Sequence, residues 1–95
     1  MPGVSFEGAI GTGHGCFPPR PSTGGSPDVF VNGIPVLRET DPWGTHSCGD
    51  SSHDSTQAAG SATVFANGLQ VARIGDPVAC GSVVAECSDN VFAGG

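Results

Sequence analysis

The sequence predicts an all-β fold of short strands and hairpins, repeated about an approximate threefold axis. Three observations predict it. One segment recurs at a fixed offset, Asn-Gly pairs interrupt apolar runs, and no stretch carries a helical apolar stripe. Gly25–Pro42 aligns with Gly60–Pro77 without a gap. The identities fall at Gly-Ser, Val-Phe, Asn-Gly, Val36/Val71, Arg38/Arg73 and Asp-Pro.

The first copy reads Val29-Phe30-Val31, Asn32-Gly33, Ile34-Pro35-Val36-Leu37. Asn-Gly is the strongest two-residue turn signal, because both positions need positive φ. Pro35 has no N–H, so it belongs at an unpaired or edge position. The second copy reads Val64-Phe65-Ala66, Asn67-Gly68, Leu69-Gln70-Val71-Ala72. A truncated third copy, Ser88-Asp89-Asn90-Val91-Phe92-Ala93-Gly94, closes the chain. The N-terminus is expected to complete it, with Pro2-Gly3-Val4 where Pro35-Val36-Leu37 stands and Gly8 at the Asp41 position. Val78–Ala85 is also β-prone. Cys16–Pro21, with three prolines, reads as an irregular or extended loop. Gly44–Gln57 reads as a long polar loop, and Asp54–Ala59 as a turn at most. A structureless loop of that length is unusual in a compact domain unless it carries a site.

Composition bounds the rest. The chain has 95 residues, 16 Gly, 8 Pro and a formal net charge of −6. That suits a single domain over residues 1–95. Leu, Ile, Val and Phe are too few for a large core, so a metal, disulfides or a partner must add stability. There is no Lys, and Arg20, Arg38 and Arg73 are scattered. Such a surface repels phosphates, which excludes nucleic acid as a partner. No run nears the roughly 18 apolar residues of a membrane span. No signal peptide is visible, so any export is expected to be carriage by a machine.

The candidate metal ligands are His14, Cys16, His46, Cys48, His53, Cys80 and Cys87. Every His lies in a loop beside Gly or Ser. Imidazole and thiolate together make closed zinc sites, and a small core needs such a staple. One His from each inter-hairpin loop plus one Cys makes a four-ligand set. Alternation leaves open which member of His14/Cys16 and of His46/Cys48 faces the metal. Solvent-exposed histidines are the blander reading. The four Cys can also pair as two disulfides in any of three ways. Catalysis is disfavoured, since thin hairpins leave little volume for a substrate pocket. The recurrent Arg38/Asp41 and Arg73/Asp76 spacing reads as local ion pairs that order turns, worth about 0.2–1 kcal/mol each if exposed.

These residues resemble the PAAR-repeat family. The carriers are Gly60-Ser61-x-x-Val64-x-x-Asn67-Gly68-x-x-Val71-Ala72-Arg73-x-Gly75-Asp76, then Cys80-Gly81-Ser82, and the parallel Gly25–Asp41 run. The resemblance spans essentially the whole chain. Pro-Ala-Ala-Arg itself is altered to Pro35-Val36-Leu37-Arg38 and Gln70-Val71-Ala72-Arg73. The resemblance implies a small cone of short β strands with a structural metal site, one Zn2+ near its point. It carries the ligand roles to His14, His46, His53 and Cys80. Cys48 is then a spare thiol, and Cys16 and Cys87 are not ligands.

The same resemblance implies a non-catalytic role at the tip of a contractile injection machine. That machine is a phage tail baseplate or a bacterial type VI secretion system, loaded from the cytoplasm. The implied partner is a trimeric β-helical spike protein, of the secretion-spike or phage tail-spike kind, with one chain per trimer. A separate effector can dock, none being fused, and contact with the target membrane is transient. Wide-face residues for the spike are sought among Val29, Val64, Val91, Phe30, Phe65 and Phe92, with ordinary core packing expected for at least half. The competing readings are a zinc- or disulfide-stapled adaptor for another β-rich partner, and a small metal-dependent hydrolase.

Overall fold

The computed structural model describes residues 1–94. It is an elongated all-β structure, 38 × 24 × 20 Å. Among the described residues there is no helix, hence none to cross a membrane. The strands pair as three antiparallel hairpins. β1 (Phe30–Val31) pairs with β2 (Ile34–Pro35), and β5 (Phe65–Ala66) with β6 (Leu69–Gln70). β3 (Pro42–Cys48) pairs with β4 (Ser51–Thr56).

The Asn-Gly turns form as the sequence predicts. Asn32 and Gly33 have φ of 51° and 81°, and Asn67 and Gly68 have 56° and 78°. Both central residues are left-handed, which matches the twist of the flanking strands.

The two ends of the chain meet in a further pair. Gly3 bridges Phe92, as Pro35 faces Phe30 and Gln70 faces Phe65. This corrects the expected register by one residue. Val4, not Gly3, occupies the place of Val36 and Val71, and Ala9, not Gly8, that of Asp41. Apolar burial sets the register, since Val4, Val36 and Val71 are all buried. Backbone conformation agrees: Gly8, Thr40 and Gly75 share positive φ.

The segments lock together through their backbones. Ser5 N–H donates to Ala72 O (2.9 Å), Ala72 N–H to Leu37 O (2.8 Å), and Leu37 N–H to Ser5 O (3.2 Å). This ring closes on itself, and its residues are 0% exposed. Around it, Val4 bridges Arg73, Phe6 bridges Val36, and Arg38 bridges Val71. Buried Ser26, Ser61 and Ser88 supply the links between segments. Each Oγ accepts backbone N–H groups of its own turn, from Val29, Val64 and Val91 among others. Each hydroxyl also donates outward: Ser26 to Asn67 Oδ1 (2.6 Å), Ser88 to Asn32 Oδ1 (2.5 Å), Ser61 to Gly94 O.

The apolar core is thin and comes in two clusters. Val4, Val31, Val36, Ala66, Val71 and Ala93 form one, with Phe6 packed on it. Leu37, Trp43, Ala72, Val78 and Val84 form the other, with Cys80 packed on it. The expectation that at least half of the six repeated Val and Phe would be core fails. Val29, Val64 and Val91 are exposed, and Phe30, Phe65 and Phe92 are 53–56% exposed. Alternation explains the phenylalanines: in β1 and β5 only the second residue, Val31 or Ala66, turns inward, and the valines lie before the strands begin.

The recurrent ion pairs are present and stronger than an exposed pair. Arg38 grips Asp41 with Nε to Oδ2 at 3.0 Å and Nη2 to Oδ1 at 2.8 Å. Arg73 grips Asp76 at 2.9 and 3.0 Å. Side-chain exposure is only 14% and 7% in the first pair, 12% and 13% in the second. Each carboxylate also accepts its arginine's own backbone N–H, which closes the turn. The carboxylate partner raises both guanidinium pKa values further.

The polar segment 44–57 departs from its expectation. It is the longest hairpin, not a loop, and Asp54–Thr56 belong to β4. No apolar alternation announces it, because little of it is buried in an apolar core. Its anchor is Trp43, whose Nε1–H donates to Gln57 Oε1 at 3.0 Å. Buried Gln57 in turn donates through Nε2 to Ala59 O and Pro77 O. Val78–Ala85 contributes isolated bridges, among them Val78 to Gln57 and Val84 to Gly11.

Candidate metal centre

The β3–β4 hairpin turns at Gly49-Asp50, with Gly49 at φ 59°. Its register runs Cys48 to Ser51, Ser47 to Ser52, His46 to His53. Directly paired residues project to the same face of a hairpin. His46 and His53 therefore meet, and their Nε2 atoms lie 2.6 Å apart. An irregularity between Trp43 and His46 lets both turn inward.

His14 arrives from a separate tight turn. His14 N–H donates to Phe17 O (3.1 Å) and Phe17 N–H to His14 O (2.9 Å). Gly13 has φ 75°, and a side chain there would come within 2.5 Å of Phe17 O. His14 Nε2 reaches His53 Nε2 at 3.2 Å. Cys80 lies in the turn where Gly81 N–H donates to Val78 O. Ala79 N–H donates to Thr56 O, which ties that turn to β4.

Donor atoms of His14, His46, His53 and Cys80 thus lie within 4.8 Å of one another. Tetrahedral Zn2+ with N and S ligands sets its donors roughly 3.3–3.6 Å apart. The chemistry of the set fits a cation. His46 Nδ1–H donates to Pro18 O at 2.9 Å, so its Nε2 lone pair faces the cluster. Metal-bound imidazoles hold their tautomer in this way. Two facing lone pairs at close range repel unless a proton or a cation lies between them. His53 is held below the ordinary imidazole pKa of 6.5, by burial first and then by its neighbours His46 and His14. The neutral imidazole is the form that binds metal.

Sequence reasoning missed two parts of this centre and left a third, the disulfide, as an open alternative. Phe17 packs against every imidazole, with ring centroids 5.0, 4.9 and 4.3 Å from His14, His46 and His53. Pro18 supplies the carbonyl that orients His46. Cys48 is not a spare thiol but is disulfide-bonded to Cys16, with Cα atoms 5.5 Å apart. That separation is the ordinary one for a bridge. Both sulfurs are thereby used, and Cys80 and Cys87 remain free. One disulfide forms where the sequence allowed two, and the hint to its partners is the matched His-x-Cys spacing, which puts a Cys two residues past a His on each partner segment.

Two hollows flank the donors. The space between Trp43, His46, Val78 and Cys80 has a volume of about 10 Å³. The hollow beside His53, Asp54 and Cys80 is larger, about 370 Å³, and lies open to solvent.

No curated protein matches this chain. The family model for the PAAR motif matches residues 12–86, a span that contains both gapless repeats and all four clustered donors. Members of that family are generally structural and not catalytic. On that match, over most of its length, the chain belongs to the PAAR-motif family.

Proposed function

We propose that this protein is a structural tip that caps a trimeric β-helical spike, one chain per trimer. One observation carries the reading. Phe30, Phe65 and Phe92 stand at the same place in their segments, and each is more than half exposed. A repeated apolar residue left in solvent marks a surface awaiting a partner. The closed Ser5–Ala72–Leu37 ring and the cyclic bridges around it support a pseudo-threefold cone. A chain of that symmetry can meet a true trimer with three equivalent faces, and open strand ends are there to be covered.

His14, His46, His53 and Cys80 hold one structural Zn2+ in this reading. Bound there, Zn2+ supplies a cross-link with four protein ligands and no open position for chemistry. His53 stays neutral, His46 is oriented by Pro18 O, and Phe17 keeps water off the imidazoles. The stiffened end meets the target membrane as the machine contracts. The protein then acts in a phage tail baseplate or at the tip of a bacterial secretion machine, with a separate effector free to dock.

The test is titration of the tag-free protein into the trimeric spike of the same source, read by light scattering. Saturation at one chain per trimer is expected, with Phe65→Asp abolishing the complex. Saturation at three chains per trimer, or no complex, contradicts the proposal.

A further inference from the structure

The segment 14–18 serves the metal centre in three ways at once. It carries the donor His14, it presents the Pro18 carbonyl to His46 Nδ1, and it lays Phe17 across the imidazoles. It is anchored at its flanks, where Gly13 N–H donates to Ser82 Oγ and Gly44 N–H to Pro21 O, but among the described residues its own backbone-to-backbone bonds are only those between His14 and Phe17. It enters through Gly13 and turns at Gly15, both at positive φ, and Gly15 has open space around it. Its contacts with the β3–β4 hairpin are those with His46 and His53, and its covalent tie there is the Cys16–Cys48 bond. Cys48 ends β3, two residues past His46, while Cys16 lies two residues past His14.

We infer that Cys16–Cys48 is a redox latch that controls how long this centre retains its metal. The inference rests on the metal-centre reading above. With the bond closed, a bridge of sequence separation 32 pins the segment over the donors. With the bond open, the segment swings on Gly13 and takes His14, Pro18 O and Phe17 away together. Closing the latch joins the two Sγ atoms and releases two protons and two electrons. A small-molecule disulfide such as oxidised glutathione accepts both and leaves as two thiols. Cys80 and Cys87 are untouched by this exchange, so the closed form keeps two free thiols and the open form has four.

The experiment uses the full chain loaded with Zn2+ in two states: oxidised, and reduced with a phosphine. Thiols are counted in each after denaturation in chelator, where Cys80 holds no metal, and zinc release from the folded protein to a chromogenic chelator is timed. Loss of the shell around a metal ligand typically costs about 10–100-fold in metal affinity, which a faster release carries when the association rate is unchanged. Release at least about ten-fold faster from the reduced form is therefore expected. Cys16→Ser and Cys48→Ser should show the fast rate in both solutions. Reducing the native protein provides the same comparison should either variant fold poorly. Equal release rates from forms with two and four thiols overturn the latch and leave the metal centre standing. Four thiols in the oxidised protein overturn the latch at its bond. No zinc bound in either state fails the metal-centre reading itself, and the latch with it.

Discussion

The hairpin region and the histidine region of this molecule solve the same problem with different materials. The hairpin region, around Val4, Val31, Val36 and Val71, is held by a small apolar cluster and by buried serines that accept from the backbone of their own turn and donate to a neighbouring segment. The histidine region has the longest strands but no aliphatic cluster of its own beyond Trp43 and Val78. Its parts are joined by a disulfide, a cross-strand His pair and a set of converging donors. The lesson is one of scale. A strand pair too narrow to bury side chains between layers needs point cross-links in place of area.

Breaking the histidine region should therefore have the largest effect. Removal of metal, or His46→Ala, is expected to cost several kcal/mol, since a structural site contributes its binding energy to folding. Metal content and thermal midpoint read it, and an unchanged midpoint on full metal loss would break the comparison. In the hairpin region the heaviest single loss should come from Asp76→Ala. It strands a largely buried guanidinium, which typically costs about 3 kcal/mol, well above an exposed pair. A denaturant midpoint reads it, and a cost under about 0.5 kcal/mol would mean the pair acts as though solvated.

pH separates the two regions more gently. The folded pKa of His53 lies below its unfolded value of 6.5, so the unfolded chain takes up the proton first. Its contribution is present in full above pH 6.5 and is lost as pH falls through the folded value. The metal-free protein should thus melt lower at pH 5 than at pH 7.5, and His53→Gln should shrink that difference. Phe65→Ser, by contrast, should change stability by no more than about 0.5 kcal/mol, because the ring is already in solvent. A larger loss would place it in the core. A backbone substitution sharpens the register argument. Thr40 has φ 72° where Gly8 and Gly75 stand in the matching places. A β-branched residue there is strained, so Thr40→Gly should stabilise by about 0.5–1 kcal/mol.

What the sequence made legible follows the reach of each signal. Asn32-Gly33 and Asn67-Gly68 encode their turns within two residues, and those turns form. The four donors were legible as a set from family resemblance, and the structure brings them together. The β3–β4 hairpin was not legible, because its order comes from Trp43, Gln57, the disulfide and the donor cluster, all non-local. The N-terminal register slipped by one because Pro2 was matched to Pro35, where the buried Val4 should have been matched to Val36. The exposure of Phe30, Phe65 and Phe92 was hidden too. A two-residue strand gives alternation too few positions to say which face is wet.

The most direct test of the comparison is amide hydrogen exchange, residue by residue, with and without a strong chelator on the natively purified protein. The account predicts that chelation strips protection from Thr45–Thr56 and from the 14–18 segment. Amides of Val36, Leu37, Val71 and Ala72 should keep theirs. Equal loss of protection in both regions, or none in either, would contradict the claim that metal stands in for a core at the histidine end.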